Sequence, residues 1–171
     1  MIIKYRKEVD FNIFYLSDDP LQAAKWQCDQ HVTKMPVETG QMLITARVLN
    51  GELREDTPYF TPRMKNHPCS IWVRECPGAF MYAQDMLAYL AEEYTYRYGR
   101  IHKTYEFYFS EIGALECSRE RTLPVPLCVK DYPRWEGDPI KTYRHFYCED
   151  KRFARWRYSE PPSWWNNGEL R

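Results

Sequence analysis

The stretch 79-AFMYAQDMLAYLAEEYTYRY-98, closed by Gly99, decides the fold. Phe80, Ala83, Leu87, Leu90, Tyr94 and Arg97/Tyr98 recur every three or four residues, while Gln84, Asp85, Glu92 and Glu93 lie mostly off that stripe. This is the period of an amphipathic helix with one buried face, and Gly99 suits its C-cap. Upstream, Pro77-Gly78 interrupts a shorter apolar run, Cys69 to Arg74. Ser17-Asp18-Asp19-Pro20 reads as a helix start, an Asp cap before a proline whose missing N–H costs nothing in the first turn. A short helix is predicted over Leu21–His31. A second, from about Thr33 or Met35 to Leu49, rests on Met35, Met42, Leu43, Ala46 and Leu49, and Asn50-Gly51 ends it. Residues 11–16 are extended in composition, and residues 50–68 form a loop. Residues 101–116 are predicted helical, with Tyr105, Phe107, Tyr108 and Phe109 clustered. Residues 122–139 hold four prolines and read as an extended loop. Ile140–Tyr158 reads as a last helix or helix pair, and 161–165 cannot be helical at their prolines. The expectation is a mainly α, compact single-domain helical fold with long Pro-rich loops. Residues 1–10 would be a polar N-terminal extension, 11–158 the helical domain and 159–171 a Pro/Trp tail.

Composition narrows the classes. The 171 residues carry 24 Lys+Arg and 24 Asp+Glu, and aromatic residues reach 16%. A disordered chain, with few aromatics and high net charge, is excluded. A uniformly basic nucleic-acid binder is also excluded, although a local basic face is not. Uncharged stretches such as Pro77 to Gln84 are far short of a membrane span, and Met1 to Glu8 lacks a signal-peptide core. The expected location is the cytoplasm, with no membrane partner. Six cysteines are scattered without a C-x-x-C pair, which favours reduced, mostly buried thiols. His31, Glu38, His67, Glu93 and His102 are ligand types, but none falls at a metal-binding spacing, so no metal is expected. No Walker loop, G-x-G-x-x-G or G-x-S-x-G occurs, so no cofactor is expected either.

Four constellations could carry chemistry. The first is 28-CDQHVTKMPVE-38, where Asp29, His31, Lys34 and Glu38 crowd a helix junction. Lys34 and Glu38 are four apart, either a surface ion pair or a carboxylate that deprotonates an amine or water beside an imidazole. The second is 65-KNHPC-69, in which Pro68 biases His67 toward an extended backbone. Asn66 and His67 either point into a site or bond local backbone. The third is 92-EEYTYRYGRIHK-103. Glu93 and Arg97 are spaced for a helix pair; Arg97, His102 and Lys103 could instead rim a phosphate site. The fourth is 141–158, where Lys141, Arg144, Lys151, Arg152, Arg155 and Arg157 against Glu149 and Asp150 leave a net +4. Tyr143, Phe146, Tyr147, Phe153, Trp156 and Tyr158 are interleaved. Cations neutralise phosphates and aromatic faces stack on bases, unless those rings belong to the core.

Two resemblances follow from these motifs. Asn12-Ile13-Phe14-Tyr15-Leu16 with Asp19-Pro20, then Asp29-x-His31-Val32-x-Lys34-Met35-x-x-Glu38-x-x-Gln41-Met42-Leu43, resemble a family of small bacteriophage-encoded proteins. So do Asn66-His67-Pro68-Cys69-x-x-Trp72 and Glu93-Tyr94-x-x-Arg97-x-x-x-x-His102. More distantly, Asp29-Gln30-His31 followed by Glu38 is similar to the active-site helix of endonuclease V-type pyrimidine-dimer DNA glycosylases. Asn66-His67 before a long helix and the basic aromatic segment 141–158 are similar to features of the same enzymes, which are small, all-helical and single-domain. That resemblance implies a glycosylase/AP-lyase with Glu38 as the catalytic carboxylate and His31 in support. In those enzymes the nucleophile is the α-amine at the chain start. Here residues 1–10 precede the motif, and Lys34 is the nearest other amine.

The expected function is therefore DNA glycosylase/AP-lyase action on a damaged or modified base extruded from duplex DNA. Glu38 would be the acid/base, with His31 and Lys34 catalytic. Asp29, Asn66, His67, Glu93, Arg97 and His102 would bind substrate, and Arg144, Arg152, Arg155 and Trp156 would hold DNA. Two alternatives stand beside it. One is a transferase or hydrolase acting on a modified base or small nucleotide in the same pocket. The other is a non-catalytic phage protein that binds nucleic acid or a host factor. Convergence of Asp29, His31, Lys34, Glu38, His67 and Arg97 on one cleft would favour the enzyme readings, and their placement on separate faces the non-catalytic one.

Overall fold

The computed structural model describes residues 11–129 and 137–165. The expected N-terminal extension, residues 130–136 of the Pro-rich loop and residues 166–171 of the tail lie outside the described residues. The fold is mainly α: α1 (Pro20–Trp26), α2 (Asp29–Leu49), α3 (Pro68–Glu75), α4 (Pro77–Tyr98), α5 (Lys103–Glu106) and α6 (Pro139–Asp150), with no strand among the described residues. No helix of these residues is long and apolar enough to cross a membrane.

The central pair is α2 and α4. Helix α1 packs on α4, α3 on both members of the pair, and α5 on α2. The stripe foreseen on α4 faces the core, and Gly99 closes the helix at φ 66°. Its first half is buried beyond the stripe as well: Met81, Tyr82, Gln84 and Met86 are all inside. Helix α2 has 15 of its 21 residues buried, so it is a core helix rather than a surface one.

Three boundaries differ from the sequence expectation. Helix α1 ends at Trp26 and α2 already begins at Asp29, because Gln27 and Cys28 are extended (ψ 139° and 166°). Tertiary partners hold that break. The Cys28 N–H donates to the Tyr147 hydroxyl (2.9 Å), and the Asp29 N–H donates to the Arg155 carbonyl (2.9 Å). Pro36 thereby falls inside α2 instead of its first turn, where a missing N–H costs about 3 kcal/mol that burial must offset. In 101–116 only Lys103–Glu106 is α-helical; Phe107–Ile112 form a π turn that Gly113 ends at φ 84°. The last helix stops at Asp150, not Tyr158. The Lys151 ammonium is drawn back over the Phe146 and Phe14 rings, 4.9 and 5.7 Å from their centroids, so the chain turns away.

The aromatic excess explains how long irregular segments stay fixed. Buried rings with a polar tip can pin backbone that has no ladder partner. Tyr143 donates to the Pro126 carbonyl (2.7 Å) and accepts from the Cys128 N–H (3.2 Å). Trp72 donates to the Leu123 carbonyl (3.2 Å), and Tyr82 to the Ser17 carbonyl (2.9 Å). Gln84 donates to the Leu115 carbonyl (2.8 Å) and accepts from its N–H (2.9 Å). Trp164 is also buried, edge-on to Trp26 at 5.9 Å. All six cysteines are free thiols. Cys28, Cys69 and Cys76 are buried, Cys128 and Cys148 half-buried, and Cys117 exposed.

Candidate functional site

The site is organised by one helix face and one extended segment. His31, Lys34 and Glu38 follow at intervals of three and four along α2, so they share a face and span about 10 Å along its axis. Residues 11–14 run past that face in the opposite direction. The Asn12 N–H donates to Glu38 Oε2 (3.0 Å), and the Phe14 ring stacks on His31 at 4.4 Å and 13°. Phe11 meets His67 edge-on at 5.1 Å. Phe14 sits at φ 46°, a left-handed conformation that bulky residues rarely adopt. The Asn12 carboxamide oxygen holds it there, accepting from the Ile13 (2.8 Å) and Phe14 (3.1 Å) N–H groups. Backbone strain of this kind collects where a structure must present a group in one orientation.

Glu38 is buried, and its other carboxylate oxygen, Oε1, lies 3.0 Å from Lys34 Nζ. The Lys34 side chain is 44% exposed and that of Glu38 only 5%. A buried carboxylate is thus joined to an amine that reaches solvent. His31 is buried and its Nδ1 lies 2.8 Å from the Tyr147 hydroxyl. Burial holds the Tyr147 hydroxyl well above the usual tyrosine range, so it remains a donor. The Tyr147 oxygen also accepts from the Cys28 N–H, so one hydroxyl ties His31 to the α1–α2 junction.

Asp29, Glu93 and Arg97 converge in a second cluster. The buried Arg97 guanidinium donates to the Gln27 (2.9 Å) and Lys25 (3.1 Å) carbonyls, to Asp29 Oδ1 (3.2 Å) and to Glu93 Oε2 (3.1 Å). Asp29 Oδ2 accepts from the Arg157 N–H (3.0 Å). This is a clamp that ties α4, the α1–α2 junction and the C-terminal segment together. Its donors are engaged within the protein, so Arg97 and Glu93 position the cleft rather than meet a phosphate. His102 is likewise structural. It caps α5 through Nδ1, accepting from the Thr104 N–H (3.3 Å), and Nε2 lies 3.1 Å from the Thr33 carbonyl. Burial lowers its pKa from 6.5.

Beside the clamp opens a cleft of about 360 Å³, lined by Asp29, Tyr98, Phe153, Arg155, Arg157 and Tyr158, with Gln30 and Thr33 of α2. Phe153 and Tyr158 are exposed, and Phe153 also stands edge-on to His31 at 6.1 Å. Of Asp29, His31, Lys34, Glu38, His67 and Arg97, Asp29 alone is in the lining of this cleft; the other five do not converge on it, and Phe153 is the contact between the lining and His31. The sequence puts Tyr98 on the α4 stripe and Phe153, Arg157 and Tyr158 in the basic aromatic segment, with nothing to bring them to one opening. Three of them fall where the last helix has ended, and only the fold aims them at one opening.

The basic segment divides. Arg155 lines the cleft, and Arg152 is exposed near Glu149. Arg144 donates from Nε to the Leu16 carbonyl (3.0 Å) and lies over the Trp26 ring at 4.8 Å. Trp156 is half-buried, donates to the Trp26 carbonyl (3.2 Å) and packs on Trp165 at 5.0 Å. Arg144 and Trp156 thus belong to the packing of the tail. Asn66 is exposed.

His67 caps α3, its Nδ1 accepting from the Cys69 N–H (3.2 Å). Across from it, Cys69 and Cys128 bring their sulfurs to 3.3 Å. Ligand atoms of His67, Cys69 and Cys128 lie within 4.8 Å of one another, the residues best placed to hold a metal among those described. The contact with Cys128, with burial second, holds the Cys69 thiol well above its ordinary range, and the same contact lowers Cys128. The local sequence offers only the His67-x-Cys69 fragment, since Cys128 arrives from a loop 59 residues away.

Set against protein-family models, curated proteins and solved structures, the chain matches none.

Proposed function

We propose that this protein is a DNA-acting enzyme of the glycosylase/AP-lyase type, with Glu38 as acid/base and a damaged or modified base as substrate. The observation that carries the reading is the buried Glu38 carboxylate, held by the Asn12 N–H and joined at 3.0 Å to the half-exposed Lys34 amine. A desolvated carboxylate next to an amine is the pairing Schiff-base chemistry needs. Glu38 Oε1 first takes a proton from the Lys34 ammonium, and the freed Nζ lone pair attacks the sugar C1′ as the glycosidic bond breaks. The leaving base carries away that bond's electron pair and receives the proton from the Glu38 carboxyl. The resemblance of Asp29-Gln30-His31 and Glu38 to the glycosylase helix supports the same roles, and the phage-family motifs support a host-cytoplasmic setting. The cations Arg155 and Arg157 and the exposed rings of Phe153 and Tyr158 in the neighbouring cleft support a nucleic-acid substrate, since phosphates call for cations and extruded bases for stacking faces.

The test uses duplexes carrying pyrimidine dimers, abasic sites or modified pyrimidines. Glu38→Gln should abolish base release and leave duplex affinity within about twofold. Borohydride should trap a covalent adduct with the wild type that Lys34→Ala loses. No abasic product and no adduct on any of these duplexes would overturn the proposal.

A further inference from the structure

We propose that His67, Cys69 and Cys128 form a binding site for a thiophilic divalent cation of the zinc class. The three side chains come from two elements: His67 and Cys69 from the start of α3, and Cys128 from the loop before α6. Their ligand atoms already lie within 4.8 Å of one another, with the sulfurs 3.3 Å apart. Around a tetrahedral zinc, with bonds of about 2.0–2.3 Å, neighbouring ligand atoms stand roughly 3.5–3.8 Å apart. Small side-chain rotations would convert the one arrangement into the other.

The surroundings hold the ligands in place. Cys128 is fixed through its backbone, its N–H donating to the Tyr143 hydroxyl (3.2 Å) and its carbonyl accepting from the Asn12 carboxamide (3.1 Å). His67 is braced by the edge of Phe11 at 5.1 Å. Ligation by Nδ1 would exchange the cap on the Cys69 N–H for a metal bond, since both use one lone pair. Two thiolates and a neutral imidazole make a complex of zero net charge with a divalent ion, which suits a largely buried place. Soft sulfur ligands favour zinc-class ions over magnesium or calcium. Three protein ligands leave a fourth tetrahedral position for water or another ligand. The same Asn12 that touches the Cys128 carbonyl donates to Glu38, so the ion would neighbour the proposed catalytic carboxylate.

The proposal does not depend on the glycosylase reading, because metal uptake is measured without DNA. Full-length protein kept reduced with a phosphine is titrated with Co²⁺ and then Zn²⁺. One Co²⁺ per chain should bind with a thiolate charge-transfer band and the visible bands of a tetrahedral site, and one equivalent of Zn²⁺ should erase them. Cys69→Ser and Cys128→Ser should lose the charge-transfer band, and His67→Gln should weaken Co²⁺ binding at least about tenfold. The exposed Cys117→Ser should retain all of it. Cys128 is the half-buried ligand on a loop, so Cys128→Ser with unchanged helical circular dichroism separates loss of a ligand from loss of fold. The proposal is overturned if no band forms, if the band persists in both Cys128→Ser and His67→Gln, or if the two thiols only oxidise to a disulfide without taking up metal.

Discussion

His102 is a residue type suited to a binding rim that the fold uses as a structural pin. Its sequence neighbourhood, beside Arg97 and Lys103, suggested a cationic rim. In the fold both ring nitrogens face backbone groups, on α5 and on α2. Burial lowers its pKa from 6.5, so the folded protein takes up this proton less readily than the unfolded chain. The stability it contributes is present above pH 6.5 and is lost as pH falls through the lowered value. Tm should therefore decline on acidification below pH 6.5, and less steeply in His102→Gln than in the wild type. Equal slopes in a pH series of thermal melts would show that the ring is not protonation-linked to folding. Arg97 teaches the same lesson: its spacing from Glu93 was legible, but its three other acceptors, Lys25, Gln27 and Asp29, lie about 70 residues away in sequence.

At the scale of elements, a contact with no trace in the helical pattern fixes how α5 meets α2. A Cβ added at Gly40 would collide with Cγ2 of the buried Thr104. Gly40→Ala should destabilise by about 1–3 kcal/mol through overpacking, despite alanine's better helix propensity. Thr104→Ser deletes the obstructing methyl, so the double variant should recover most of the loss in urea unfolding. Additive losses would exclude this contact as the cause. Helix ends show what could be read locally. The Asp19-Pro20 start and the Gly99 stop depend on neighbouring residues alone, and the structure has both. The break at Gln27-Cys28 depends on Tyr147 and Arg155, and the Lys151 ammonium beyond the stop at Asp150 reaches Phe14; these partners are distant in sequence, so no local window contains them.

For the whole molecule, zero net charge conceals an uneven distribution. Segment 141–158 carries six cations against two acids, and the fold sorts them into two populations. Arg155 and Arg157 line the cleft, whereas Arg144 lies over Trp26 and Trp164. If the cleft receives nucleic acid, Arg155→Ala with Arg157→Ala should weaken duplex binding. It should also reduce the slope of log K against log salt by up to about two. Arg144→Ala should lower Tm and leave that slope unchanged. Fluorescence anisotropy across a salt series distinguishes these outcomes, and an unchanged slope in the double variant would remove the cleft as the phosphate-contacting face.

The sequence by itself determined the helical class, the two long core helices and the face that sets Lys34 beside Glu38. Hydrophobic period, proline and glycine punctuation and four-residue spacing all act within a turn or two of chain. Only the tertiary structure decided which groups share a site. It laid the strained segment around Phe14 along α2, withdrew Arg97, His102 and Arg144 into packing, gathered Phe153, Arg157 and Tyr158 at one opening, and carried Cys128 to Cys69. Those juxtapositions arise from burying an unusually aromatic core, in which the polar tips of Tyr82, Tyr143 and Trp72 bond backbone that is distant in sequence.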